Sequence, residues 1–282
     1  MTRIACAAIA LALLGVAEPA AARVSSSVAA LQVALRAERL YGGTVDGIAG
    51  PGTRAAVRAL QRRHHLAADG VAGPLTRRAL GRRGRPALGS RPLSAGRRGW
   101  DVAALQFLLA RHGFPSGPVD GGLGPRTSAA LQRFQTWAGL GADGVAGPAT
   151  LAALRRPPAR SILRFARPLP GPIGDGFGPR GDTFHTGVDF PAPSGTPVGA
   201  AGRGCVSFAG WDDGYGRLVV VQHRLGMTSW YAHLSRIGVR RGECVVAGSR
   251  IGRLGATGRA SGPHLHFELR LRDAAVDPLS GL

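Results

Sequence analysis

The stretch HLHFELRLR, His264–Arg272, alternates between two kinds of residue without a break. On an extended chain Leu265, Phe267, Leu269 and Leu271 share one side, and His264, His266, Glu268 and Arg270 share the other. The apolar side belongs to a core, so both imidazoles face a cleft or solvent. Upstream, RLVVVQHRL (from Arg217), TSWYAHL (from Thr228) and ECVVAG (from Glu243) are short β-rich runs broken by Gly. From Phe177 onward the chain therefore reads as a mainly antiparallel β domain.

A second cluster lies in FHTGVDF, Phe184–Phe190, where His185 and Asp189 are four residues apart. Gly187 and the following PAPSGTP argue against a helix. On a straight strand the two would share a face about 13 Å apart, too far to hold one ion. The segment must bend, and Gly187 is placed to let it. Two ligands here and one imidazole from the late strand would make three N/O donors with a position left open, the arrangement of a catalytic zinc. His233, in WYAHL, is a further imidazole at a strand end or loop.

The first half is a tandem repeat. VAALQVAL at Val28 returns as VAALQFLL at Val102, a shift of 74. The same shift carries VDGIAGPGT (from Val45) to VDGGLGPRT (from Val119), and ADGVAGPLT (from Ala68) to ADGVAGPAT (from Ala142). Val28, Leu31 and Leu35 have helical spacing, the Asp-Gly pairs form turns, and GPxT places Pro where a helix can start without its N–H. Each copy reads as a small all-α unit of three helices. His64, His65 and His112 are expected as exposed helix residues. The Pro-, Gly- and Arg-rich stretches 82–99 and 156–174 read as linkers, the second with Ile162, Leu163 and Phe165 able to dock on the domain that follows.

The N-terminus, MTRIACAAIALALLGVAEPAAAR, has a basic start at Arg3, a short apolar run and an Ala-rich end. It reads as a secretory signal peptide cut near Ala22, with an apolar run too short to span a bilayer. No later stretch reads as a membrane span. Export leaves Cys205 and Cys244 as an even pair in an oxidising compartment, where a disulfide is expected. The formal charge of +20 suits an anionic neighbour such as a wall polymer. All 36 basic residues are Arg, as a GC-rich coding bias would also produce. The leader and the scarcity of aromatic stacking platforms argue against nucleic acid.

The pattern LQxxL…VDGxxGPxT…Q…DGVAGPxT resembles the peptidoglycan-binding domain 1 family over both copies, which implies peptidoglycan as partner. In the second half the blocks FGPR…HTGVDF.AP.GTPV, GYG..VVV.H…WYAHLS and TG…GPHLHFEL occur in order. They resemble the lysostaphin/LytM-type metallopeptidases of family M23. The resemblance implies His185, Asp189 and His266 as Zn2+ ligands, and His233 and His264 as catalytic histidines that do not bind the metal. Within it, His264 is favoured as the proton-accepting base and His233 as the oxyanion donor, and the sequence leaves the division between them open. Glu268 either orients a ligand imidazole or is a plain surface carboxylate, and His223 is read as structural.

The expected chain is thus multidomain: a signal peptide (1–22), repeat 1 (28–81), a linker (82–99), repeat 2 (100–155), a second linker (156–174) and a β metallopeptidase domain (175–282). Its expected function is a secreted zinc endopeptidase of peptidoglycan, acting in the cell wall or periplasm. The alternative is a non-catalytic wall-binding protein or an activator of another hydrolase. Substrate contacts, the bond cut and the oligomeric state are not legible in the sequence.

Overall fold

The computed structural model describes residues 24–282, and the expected leader, residues 1–22, lies outside the described residues. Each repeat forms three helices: α1 (Ser26–Ala37), α2 (Pro51–Arg63) and α3 (Pro74–Ala79), then α4 (Trp100–Arg111), α5 (Pro125–Trp137) and α6 (Pro148–Leu154). The helices α2, α3, α5 and α6 each begin with Pro directly after a Gly N-cap, where the missing N–H costs nothing.

Each Asp-Gly turn is pinned by a buried glutamine. The Gln61 amide donates to Asp69 Oδ1 (2.6 Å) and the Val71 carbonyl (3.1 Å), and its oxygen accepts from Gly70 N (2.9 Å). Gln32, Gln106 and Gln135 make the same set of bonds to Asp46 and Gly47, Asp120 and Gly121, and Asp143 and Gly144. The recurring Gln, Asp-Gly and Thr of the motif are therefore one hydrogen-bonded unit, used four times. The repeats do not stand apart. Helix α1 packs on α4, and Ala29, Ala30, Ala34 and Leu35 share one core with Ala103, Ala104 and Phe107.

The stretch 82–99 joins the repeats but also packs: Leu93 is fully buried and exchanges backbone hydrogen bonds with Ala146. In 156–174, Phe165 and Leu169 enter the β-domain core, Leu163 packs against it, and Ile162 stays exposed. His64 and His65 are exposed at the end of α2. His112 is not. It is buried, with Nε2 against the Leu154 carbonyl (3.1 Å) and its ring edge-on to Phe134, because the chain after α4 folds back under α5 and α6.

The β domain has a nine-stranded sheet in which every pairing is antiparallel. Its strands are β3 (Val188–Pro191), β4 (Pro197–Gly199), β5 (Gly204–Asp212), β6 (Gly216–Gln222), β7 (Met227–Ile237), β8 (Cys244–Val245), β9 (Arg250–Leu254), β10 (His264–Leu271) and β11 (Ala274–Val276). The order is β11-β10-β7-β6-β5-β8, with β3 pairing the N-terminal half of β10 on the edge that β11 takes further along. A separate hairpin, β1 (Gly178–Arg180) and β2 (Thr183–His185), lies outside that sheet. Leu265, Phe267 and Leu269 of β10 are fully buried with Val188, Phe190, Val219, Val221 and Tyr231. Cys205 and Cys244 sit directly opposite each other on β5 and β8 and are joined by a disulfide. His223 is buried between the Arg203 carbonyl (2.8 Å) and Ser229 Oγ (2.7 Å), and Ser229 links on to the buried Tyr231 hydroxyl.

Two outcomes follow from this packing. Truncating Gln61 or Gln135 to Ala removes the acceptor of the buried Gly70 or Gly144 N–H and the partner of the buried Thr76 or Thr150 hydroxyl, which costs about 1–3 kcal/mol per site, read as a lower urea midpoint. Burial holds both His223 and His112 below the usual histidine range, against the Arg203 and Leu154 carbonyls that raise them. The unfolded chain then binds more protons than the folded one below pH ~6.5. Stability is complete above that pH and falls as the solution is acidified, and a His223→Gln, His112→Phe variant shows a shallower fall in thermal midpoint between neutral and acid pH.

Candidate metal centre and active-site cleft

The pairing of β3 with β10 puts Asp189 directly opposite His266. Opposed residues of neighbouring strands point to the same face, so the carboxylate and the imidazole meet above the sheet. His185 arrives from the end of β2 after the chain bends through Thr186 and Gly187. Gly187 is needed for space rather than for an unusual φ. A Cβ there would lie 2.9 Å from His266 Cε1 and 3.0 Å from Glu268 Cγ, and closer still to the Phe267 carbonyl.

Three donor atoms form a nearly equilateral triangle. His185 Nε2 is 3.1 Å from Asp189 Oδ1 and 3.0 Å from His266 Nδ1, and His266 Nδ1 is 2.9 Å from Asp189 Oδ1. Metal bonds of about 2.0–2.1 Å in a tetrahedron give edges of about 3.3 Å, so the triangle matches one face of a zinc site. The remaining nitrogens fix the tautomers. His185 Nδ1 donates to the Gly176 carbonyl (2.8 Å), and His266 Nε2 donates to Glu268 Oε1 (2.9 Å). His185 Nε2 and His266 Nδ1 therefore turn lone pairs toward a carboxylate oxygen, an arrangement that calls for a cation or a proton between them. Burial disfavours charge on His266, but hydrogen bonds to Asp189 and Glu268 outweigh it and raise its pKa to about 9. A metal held by the triangle would take the place of that proton. Burial opposes ionisation of Asp189, and the adjoining imidazoles of His185 and His266 reverse this and hold it well below the carboxylate range. Its other oxygen lies 3.7 Å from Arg180 Nη1.

Glu268 is fully buried rather than a surface carboxylate. Its Oε1 accepts from Thr186 Oγ1 (2.5 Å), Tyr215 OH (2.8 Å) and His266, and its Oε2 accepts from Arg270 Nε (2.7 Å). Burial alone would raise its pKa, but the Arg270 charge and the His266 bond hold it low. The Arg270 guanidinium stacks 3.8 Å from the Trp230 ring centroid. Burial and the neighbouring Glu268 charge push the Tyr215 hydroxyl up, so it stays a donor. Of this network Glu268 and Arg270 lie on the histidine face of HLHFELRLR and could be placed from sequence. Tyr215, Thr186 and Trp230 carry no periodic signal that ties them to it.

The other two histidines border the triangle without entering it. His264 Nδ1 donates to the Gly262 carbonyl (2.9 Å), leaving Nε2 as a lone pair 3.7 Å from Asp189 Oδ1. His233 Nδ1 donates to the Thr257 carbonyl (2.7 Å), leaving its Nε2 free likewise. Its backbone takes a left-handed φ of 62°, and burial lowers its pKa. The two rings are 4.8 Å apart, and His233 is 5.9 Å from His266. A cleft of about 510 Å3 is lined by all five side chains together with Arg180 and Arg259. The structure thus brings His185, Asp189, His233, His264 and His266 to one place, while Cys205 and Cys244 bridge β5 and β8 without lining the cleft.

Comparison with known proteins gives concordant matches. Residues 183–278 match the family described as Peptidase family M23, and residues 24–80 and 98–154 match PG_binding_1, a peptidoglycan binding domain. The DD-carboxypeptidase/endopeptidase Mpg of Neisseria meningitidis is 46% identical over 97 residues, 34% of this chain and 22% of that protein. Peptidoglycan DD-endopeptidase ShyA of Vibrio cholerae is 44% identical over 95 residues, again 34% of this chain and 22% of its own. The chain therefore spans about a fifth of the length of these curated relatives. A crystal structure of a zinc containing peptidase from Vibrio cholerae aligns at 36% identity over 40% of this chain and 39% of that one, with a TM-score of 0.39. The C-terminal domain belongs to peptidase family M23, and the chain joins it to two peptidoglycan-binding repeats.

Proposed function

We propose that the chain is an exported zinc-dependent endopeptidase that cuts peptide cross-links of bacterial peptidoglycan and is held on the wall by its repeats. The observation that carries the reading is the triangle of His185 Nε2, Asp189 Oδ1 and His266 Nδ1, with both imidazole tautomers fixed from behind. The leader-like N-terminus supports export, and the matched repeats support a wall anchor. The matched relatives are named DD-endopeptidases, which favours a D,D-peptide cross-link over a glycyl bridge.

When bound, zinc supplies a Lewis acid for the scissile carbonyl and lowers the pKa of water held there toward neutrality. The chain's own residues do the rest. His264 Nε2, left free by the bond of Nδ1 to the Gly262 carbonyl and lying beside Asp189, accepts the proton of the attacking water and returns it to the leaving amine. His233, when it carries a proton on Nε2, donates a hydrogen bond to the developing oxyanion. Glu268 holds His266 by Nε2 and keeps Nδ1 turned to the metal, the usual task of a carboxylate behind a ligand imidazole.

Two measurements test this reading. Purified full chain incubated with diaminopimelate-type sacculi should release monomeric muropeptides from cross-linked dimers, read by mass spectrometry. Release should stop with a chelator and return with added zinc. Digestion that continues unchanged without metal contradicts the reading. Replacing Glu268 with Gln removes the charge behind His266 and should weaken zinc binding about 10–100-fold, measured by competition with a metal-sensitive dye.

A further inference from the structure

The hairpin that carries His185 has little of its own to hold it. β1 and β2 pair over three residues each, outside the main sheet. A lone two-stranded hairpin is at best marginally stable in water and needs packing from elsewhere. Within the β domain its ties are the edge-on contact of Phe177 with Phe184 (5.0 Å), the pairs of Arg180 with Asp175 (3.0 Å) and Asp189 (3.7 Å), and His185 itself against Gly176, Asp189 and His266.

The repeats hold its tip. Val45 N donates to the Gly181 carbonyl at 2.8 Å, and Val119 N donates to the Asp182 carbonyl at 2.8 Å. Val45 and Val119 are the same position of the two repeats, the residue that opens each VDG turn. Both side chains are buried. Each donor is stiffened from behind, because Gln32 and Gln106 accept from the Gly47 and Gly121 N–H groups, two residues on, at 2.9 and 2.8 Å. Arg36 of α1 adds an ion pair to Asp182 at 3.5 Å. Packing of α1 on α4 thus presents two equivalent N–H groups to two consecutive carbonyls of one hairpin tip. His185 follows three residues later. Repeat 2 also grips the far end of β10 and the adjoining β11: Trp137 Nε1 donates to the Leu271 carbonyl of β10 (3.1 Å), and Ala275 N of β11 donates to the Gly113 carbonyl (3.2 Å). One helical arm therefore touches both elements that supply imidazoles to the triangle.

We propose that Val45 and Val119 are positioning residues that hold His185 through the hairpin tip, making the wall-binding arm a structural part of the metal centre. The inference rests on the reading of His185, Asp189 and His266 as metal ligands. It differs from a tether, in which repeats on free linkers raise local concentration and leave the site's affinity untouched.

The test uses the full chain. Val45→Pro with Val119→Pro removes both N–H donors. Asp182→Arg sets like charges against each other at Arg36 and alters no repeat backbone, and Arg36→Asp with Asp182→Arg restores the pair in reverse. Zinc affinity is read by chelator competition, and hairpin support by hydrogen exchange at the Phe184 and His185 amides. The double proline variant should bind zinc about tenfold more weakly and Asp182→Arg about threefold more weakly. Both should exchange the hairpin amides faster, and the charge swap should recover both readouts. Wild-type affinity with unchanged exchange in these variants overturns the proposal. If the proline variant does not fold, Asp182→Arg and its swap decide alone. If the wild-type chain binds no zinc, the ligand reading fails, and hairpin exchange still decides whether the arm supports it.

Discussion

The register of β3 against β10 is the constraint on which the site depends. With Asp189 opposite His266, the carboxylate and imidazole share the cleft face while Val188, Phe190, Leu265 and Phe267 fill the core. A slip of one residue would reverse every side chain of β3, placing Asp189 in the core and Val188 in the cleft. The buried apolar set therefore fixes the geometry of the polar one. His185 is the one member of the triangle outside this sheet, which is why its placement needs Gly187, Gly176 and the hairpin tip together.

The same face carries charges that burial would ordinarily penalise. Glu268 and Asp189 lie among imidazoles, Arg270, Tyr215 and Thr186, and both oxygens of Glu268 have donors. A buried carboxylate is tolerable only when its lone pairs are met in this way, and removing one partner leaves an uncompensated charge. The network holds His266 in one orientation before any ligand arrives. Preorganisation of this kind is what a metal site with one open position needs.

Much of the site was legible in the sequence, because strict alternation in a strand is a strong signal. HLHFELRLR gave the apolar and polar faces of β10 correctly, and the motif blocks pointed to the residues that the fold gathers in one cleft. Local turn chemistry likewise placed the helices of the repeats, with Pro after Gly at four helix starts. What was not legible depends on long-range packing. His112 has the pattern of an exposed helix residue, yet it is buried beneath a carbonyl 42 residues away. Glu268 could have been surface or interior, since alternation gives a face and not its cover. The Arg-rich stretch 82–99 has the composition of a free linker, but buried Leu93, the backbone of Gly96, Arg97 and Gly99, and the Arg91–Asp101 pair anchor it against repeat 2. Nor does composition reveal that the repeats dock on the hairpin, because backbone N–H groups make that contact.

The central claim is that three of the five cleft residues hold the metal and two do not. The direct measurement is zinc content per chain by elemental analysis of purified, folded wild type, His266→Ala and His264→Ala. One zinc is expected in the wild type, none in His266→Ala, and one in a His264→Ala protein that no longer digests peptidoglycan. Zinc lost from His264→Ala, or kept in full by His266→Ala, would contradict it.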